Sequence, residues 1–179
     1  MAAPEPEATE QLEPEALTAL EFGLVALLQN VVDDGASIGF LRPLAADEAA
    51  RYWQSVAAAI REKRRVLWIT RGSGGAVTGS VQLDLEPRPN GSHRAEVMKL
   101  MVLTSARRCG LGRALMRAAE EGARRLRRTT LFLDTRRGDP SERLYESLGW
   151  VFAGSIPEYA RSANGALDAN AIYYRLLDK

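Results

Sequence analysis

The chain has 179 residues, 46% hydrophobic and 26% charged, with 24 Lys+Arg against 23 Asp+Glu, which fits one domain and excludes a disordered or fibrous chain. Its single cysteine, Cys109, excludes an internal disulfide framework, and with His93 as the only histidine no Cys/His metal set can form, so no metal is expected. No apolar run approaches the ~18 residues of a membrane helix, and the start MAAPEPEATEQ is unlike a secretory signal, so a cytoplasmic protein without a membrane partner is expected.

Residues 1–15 carry Pro4, Pro6 and Pro14 among glutamates and read as a flexible acidic tail, with a weak first strand near Gln11 and Leu12. A single domain is expected over 16–179. Leu17, Leu20, Leu24, Leu27, Leu28 and Val31 recur at helical spacing over 16–33, and Gly35 stops that helix. A second helix is predicted over 47–63, capped by Asp47, with Ala50, Trp53, Ala57 and Ile60 on one stripe. The period then changes to that of strands at 65–70 and 77–85. Asn90-Gly91 signals a hairpin turn into 95–103, whose nearly apolar sequence predicts a strand covered on both faces. Leu111, Leu115, Ala118, Gly122 and Leu126 mark a helix over 111–127, followed by a buried strand at 129–135. Asp139-Pro140-Ser141-Glu142 starts a helix that ends at Gly149: Asp caps, Pro takes the first position and Glu142 completes a capping box. Strands at 150–155 and 171–177 flank an irregular segment, 157–170. This order predicts an α/β fold with a mixed sheet, in which a crossover helix joins two parallel strands within 95–135.

Charge is unevenly placed. Residues 1–48 hold ten acids against Arg42 alone, whereas residues 107–137 hold ten arginines against Glu120, Glu121 and Asp134. Of the 24 cations only Lys63, Lys99 and Lys179 are lysines, a bias that a GC-rich coding sequence or phosphate recognition would each produce. The arginines begin at Arg107, Arg108 and Arg113, around Gly110 and Gly112, where a strand ends and an amphipathic helix starts. Glycines there let backbone approach a ligand, and the unpartnered amides and dipole of the first helical turn favour a pyrophosphate. GxxxxGK[ST] is absent, and GLG lacks the third glycine of a dinucleotide fingerprint.

The pattern Arg107-x-x-Gly110-x-Gly112 resembles the acyl-CoA loop of the GNAT superfamily of N-acetyltransferases, and Leu144-Tyr145-Glu146-Ser147-Leu148-Gly149-Trp150 resembles that superfamily's LYxxLGF segment. Pro89-Asn90-Gly91, Arg94 to Val97, Lys99 to Leu103, GASIGF at 35–40 and Leu133-Asp134-Thr135 are similar to the tabtoxin-resistance family within it. Two positions depart from the pattern: Arg108-Cys109 replaces Gly plus a basic residue, and Gly138 replaces an Asn.

The resemblance implies a mostly antiparallel sheet with helices on both faces and a central parallel pair splayed to hold acyl-CoA. Acetyl-CoA would be the cosubstrate and a small-molecule amine, such as a toxin or antibiotic, the acceptor. It places Met101, Val102 and Leu103 along the pantetheine arm, and Arg107, Arg108, Cys109, Gly110, Leu111, Gly112 and Arg113 around the pyrophosphate. Glu96, in an apolar run that would raise its pKa, is the first candidate base; Asp134, at the carboxyl end of the neighbouring strand, is the second. Tyr145 takes the general-acid position. Tyr159 and Arg161 border the acceptor pocket. Lys99 reads as a salt-bridged or snorkelled amine, His93 as a loop residue, and Arg124, Arg125, Arg127 and Arg128 as a solvated helix end. A protein or peptide acetyltransferase would need an open groove between 30–42 and 157–170. A non-catalytic acyl-CoA-binding module would not need Glu96, Asp134 and Tyr145 together. Nucleic acid is disfavoured because no aromatics interleave the basic run. A homodimer paired through the last strand is compatible with the sequence.

Overall fold

A computed structural model describes residues 9–178. Its main sheet has seven strands: β1 (Thr9–Gln11), β2 (Arg65–Arg71), β3 (Val77–Leu85), β4 (Arg94–Val102), β5 (Thr130–Arg136), β6 (Val151–Gly154) and β9 (Asn170–Leu176). Their spatial order is β1-β2-β3-β4-β5-β9-β6, and β4–β5 is its one parallel pair. A separate two-stranded hairpin, β7 (Ala160–Arg161) with β8 (Leu167–Asp168), occupies the segment expected to be irregular. Helices α1 (Pro14–Ala19), α2 (Glu21–Asp33) and α3 (Ala46–Arg61) cover one face; α4 (Leu111–Arg125) and α5 (Ser141–Ser147) belong to the other.

Strand alternation divides the core between these layers. In β2, Leu67 and Ile69 join the α1–α3 side while Trp68 joins the α4 side, as period-2 side chains must. β4 obeys the same rule and then changes sides. Ala95 and Val97 pack toward α4, yet Met101, of the same parity, packs toward α2. The cause is one extra residue: Gln82 pairs with Met98 but Ser80 with Met101, and Lys99 sits at φ +53° within the shift. Such a bulge flips every later side chain to the opposite face.

Several expectations are corrected. Residues 9–15 are no tail: β1 pairs with β2, and Leu12 and Pro14 are buried, while residues 1–8 lie outside the described chain. The helix expected over 16–33 breaks at Leu20 into α1 and α2. Asp47 is not a cap; it lies in the first turn of α3 and pairs with Arg51 at 2.6 Å. The hairpin expected at Asn90-Gly91 is present, joining β3 to β4 through a loop that holds a short 3-10 turn. Asp139 does not cap α5, because Arg136 holds its carboxylate at 2.8 Å; Glu142 instead accepts the amide of Gly138 at 2.5 Å. β4 and β5 are buried on alternate residues only, since their other face lines cavities. β9 is hydrogen-bonded to β5 and β6 on its two sides, so the last strand has no free edge for a dimer.

Candidate active site

The parallel pair is short. Arg94, Ala95 and Glu96 register with Thr130, Leu131 and Phe132, and beyond that rung β4 and β5 separate. Glu96 and Phe132 are partners, so Asp134, two residues along β5, lies on the same face as Glu96. Both carboxylates line one pocket of about 240 Å³ with Lys99, Tyr159, Ser37 and Gly39. Burial pushes the Glu96 carboxyl up from its ordinary range, and the negative charges of Asp134 and Asp84 add to the shift. Burial lowers Lys99, with the Arg65 guanidinium acting in the same direction. The charge of Asp134 raises the Tyr159 phenol, with burial second. Lys99 forms no salt bridge among the described residues; it lines the acidic pocket, where the bulge has placed it.

A larger cleft of about 730 Å³ adjoins this pocket at Arg136. Leu100, Met101 and Val102 of β4 form one wall, and Pro140, Ser141 and Leu144 form the wall opposite. The mouth is built by Arg107, Arg108, Gly110, Leu111, Gly112 and Arg113. Gly110 takes the left-handed conformation at φ +84° immediately before α4, and a Cβ on Gly112 would stand 3.3 Å from Leu144 Cδ2. The loop thus needs one glycine for its turn and one for the close approach of α4 to α5. Arg113 donates to Ser147 Oγ at 2.8 Å, and Arg107 bonds Asp34 Oδ2 at 2.5 Å across the mouth. A strand edge left unpaired, an exposed helix N-terminus and three guanidiniums suit an extended ligand ending in a pyrophosphate.

Eight of the ten expected cofactor residues line this cleft; Leu103 and Cys109 do not. Leu103 packs into the α1–α3 core, and the exposed Cys109 thiol contacts the Arg107 carbonyl at 3.6 Å. Tyr145 is only 6% exposed, with its ring tilted against Trp150 and Tyr173. Burial raises its phenol, with the neighbouring Ser141 side chain acting in the opposite direction, and Ser141 meets Thr135 Oγ1 at 2.9 Å. Ser141, not Tyr145, therefore faces the cleft. Tyr159 lines the acidic pocket, whereas Arg161 lines a neighbouring one.

The sequence reading missed Ser141, Asp34 and Arg136 as site residues. They reach the cleft through contacts between distant parts of the chain, such as Asp34 with Arg107, which no spacing rule encodes. It also misread Arg128, which does not belong to a solvated helix end: its guanidinium donates to the carbonyls of Glu86, Ser92 and Arg94 and ties down the β3–β4 loop. No group of three or more His, Cys, Asp or Glu residues is placed to hold a metal among the described residues, and no helix among them is long and apolar enough to cross a membrane.

Solved structures share this architecture. An N-acetyltransferase from Staphylococcus aureus matches with TM-score 0.79 at 16% identity, over 97% of this chain and 100% of that one. Ribosomal-protein-alanine N-acetyltransferase from Brucella melitensis matches with TM-score 0.77 at 19% identity, over 95% and 99% of the two chains. The protein yncA from Salmonella typhimurium, solved with its cofactor acetyl-CoA, matches with TM-score 0.77 at 18% identity, over 98% and 96%. At these identities the likeness establishes the fold. The family model for the acetyltransferase (GNAT) family matches residues 38–150, more than half of the chain and both the glycine loop and the split strands. The protein therefore belongs to the GNAT family of acetyltransferases.

Proposed function

We propose that the protein transfers the acetyl group of acetyl-CoA to the amine of a small molecule, in a ternary complex by direct attack. The observation that carries the acceptor class is Arg136. Its Nη1 donates to the Gly35 carbonyl at 3.2 Å and to Ser162 Oγ at 3.3 Å, joining the two segments between which a peptide groove would have to open. What remains beside Glu96 and Asp134 is a pocket of about 240 Å³, a volume suited to a small amine. The resemblance to the tabtoxin-resistance family extends this reading to a toxin or antibiotic amine.

Acetyl-CoA supplies an activated thioester. The unpaired edge of β4 at Met101 and Val102 holds the pantetheine arm, with Arg107, Arg108, Gly110, Leu111, Gly112 and Arg113 around the pyrophosphate. The bulge at Lys99 and Leu100 leaves backbone amides outside the regular ladder, available to a developing oxyanion. Glu96 accepts a proton from the bound ammonium, with Asp134 beside it to attract the cation. The freed nitrogen forms the amide bond as the carbon–sulfur bond breaks and gives up its second proton to solvent, while the departing thiolate takes a proton relayed from Tyr145 through Ser141 and solvent restores the phenol. Tyr159 and Arg161 border the acceptor.

The test is thiol release from acetyl-CoA against a panel of small amines, antibiotics and peptides. Saturable turnover on small amines is expected. Turnover confined to peptides would move the assignment to a protein acetyltransferase.

A further inference from the structure

Beside the acidic pocket lies a second one of opposite charge. Its volume is about 210 Å³, and three guanidiniums line it, from Arg42, Arg136 and Arg161, with no carboxylate among the lining residues. Arg136 is neutralised by Asp139 at 2.8 Å and Asp168 at 3.9 Å. Arg42 and Arg161 are not. Arg42 Nη1 donates to the Asp33 carbonyl at 3.2 Å and Arg161 Nη1 to the Gly165 carbonyl at 3.0 Å, and neither has a carboxylate within ion-pair distance among the described residues. One carbonyl contact orients a guanidinium and leaves most of its five N–H donors for a ligand. Arg42 is also the single cation among the ten acids of residues 1–48.

The two pockets adjoin, because Ser37, Gly39, Arg136 and Ala160 wall both. Acids stand at one end and uncompensated cations at the other, so one small molecule spanning them meets opposite fields at its two ends. A polyamine would be repelled by the arginine end, and a neutral tail would leave the remaining donors of both guanidiniums to water. Resting on the N-acetyltransferase reading above, we propose that the Arg42–Arg161 pocket is an anion subsite and that the acceptor is a zwitterion. Its amine faces Glu96 and Asp134, and its carboxylate or phosphonate takes the N–H donors of Arg42 and Arg161 in the forked geometry such oxyanions accept.

The experiment compares kcat/KM for matched acceptors: α- and ω-amino acids, aminoalkylphosphonates, the carboxamides of the same amino acids, and the corresponding decarboxylated amines. The expected result is a preference of about tenfold or more for the anionic member of each pair, falling by about tenfold in Arg42→Gln and in Arg161→Gln, with partial recovery in Arg42→Lys. Equal rates for acid and carboxamide in the natural protein, or an unchanged preference in both variants, would overturn the subsite. So would a rise in KM for acetyl-CoA with the acceptor preference intact, which would give these arginines to the cofactor. If no small amine is turned over, the N-acetyltransferase reading fails separately. Calorimetric titration of the same acids into the natural protein and the Arg42→Gln/Arg161→Gln protein then decides the subsite. Binding lost in the double variant supports it, and equal or absent binding rejects it.

Discussion

Glu96 is costly to keep ionised, and that cost bears on both turnover and stability. Its carboxyl titrates above the ordinary range, chiefly through burial and then through Asp134. A base works only when ionised, so the acidic limb of kcat/KM is expected above the usual carboxylate range. Asp134→Asn removes one of the charges responsible and should move that limb to lower pH; a limb that stays put would dissociate it from Glu96. Between the ordinary and the raised pKa the folded chain binds more protons than the unfolded chain, so stability declines as pH rises through that window. Glu96→Gln is therefore expected to raise the urea midpoint at neutral pH while lowering kcat about a hundredfold or more. A loss of stability with full activity would remove Glu96 from the role of base. Tyr145→Phe separates chemistry from binding in the same way. It should lower turnover with little effect on acetyl-CoA affinity. Unchanged turnover would make Tyr145 a packing residue.

At the scale of elements, the fit of α4 on the sheet depends on Gly122. A Cβ there would lie 2.2 and 2.5 Å from two ring carbons of Trp68, a side chain only 3% exposed and so unable to swing away. Alanine would gain up to about 1 kcal/mol in helix propensity, but overpacking against a fixed indole costs about 1–3 kcal/mol. Gly122→Ala should therefore lower the denaturation midpoint, and a raised midpoint would refute this account of the packing. The sequence displayed the apolar face that contains Gly122, because periodicity survives in a single chain. It did not display Trp68 as the reason for that glycine, since the contact joins residues 54 apart. The same limit explains the site. Gly110, Gly112 and the arginines were legible because one strand–loop–helix carries them all. Ser141 and Arg136 were not, because their roles arise only where β4 and β5 part. The bulge at Lys99 was equally hidden: it changes which face Met101 occupies while leaving an apolar run apolar.

Across the whole molecule, the even charge balance conceals an acidic N-terminal layer set against an arginine-rich centre. The two meet at the mouth of the large cleft, where Asp34, just past α2, bonds Arg107 of the glycine loop at 2.5 Å. Both side chains are somewhat less than half exposed, so the pair contributes about 1 kcal/mol at most. A pyrophosphate entering the mouth competes with Asp34 for the same guanidinium and meets its negative charge besides. The ion pair thus joins the two layers, and a pyrophosphate held by Arg107 would have to exchange it. Asp34→Asn abolishes the competitor with little change in shape. Its expected effect is tighter acetyl-CoA binding, by up to about fivefold in Kd at low ionic strength. The gain should shrink as salt screens the exposed charges over a Debye length of about 10 Å at 0.1 M. Titration of acetyl-CoA into both proteins at two salt concentrations measures it. Weaker binding by Asp34→Asn would mean that Asp34 orients Arg107 for the phosphates instead of opposing them.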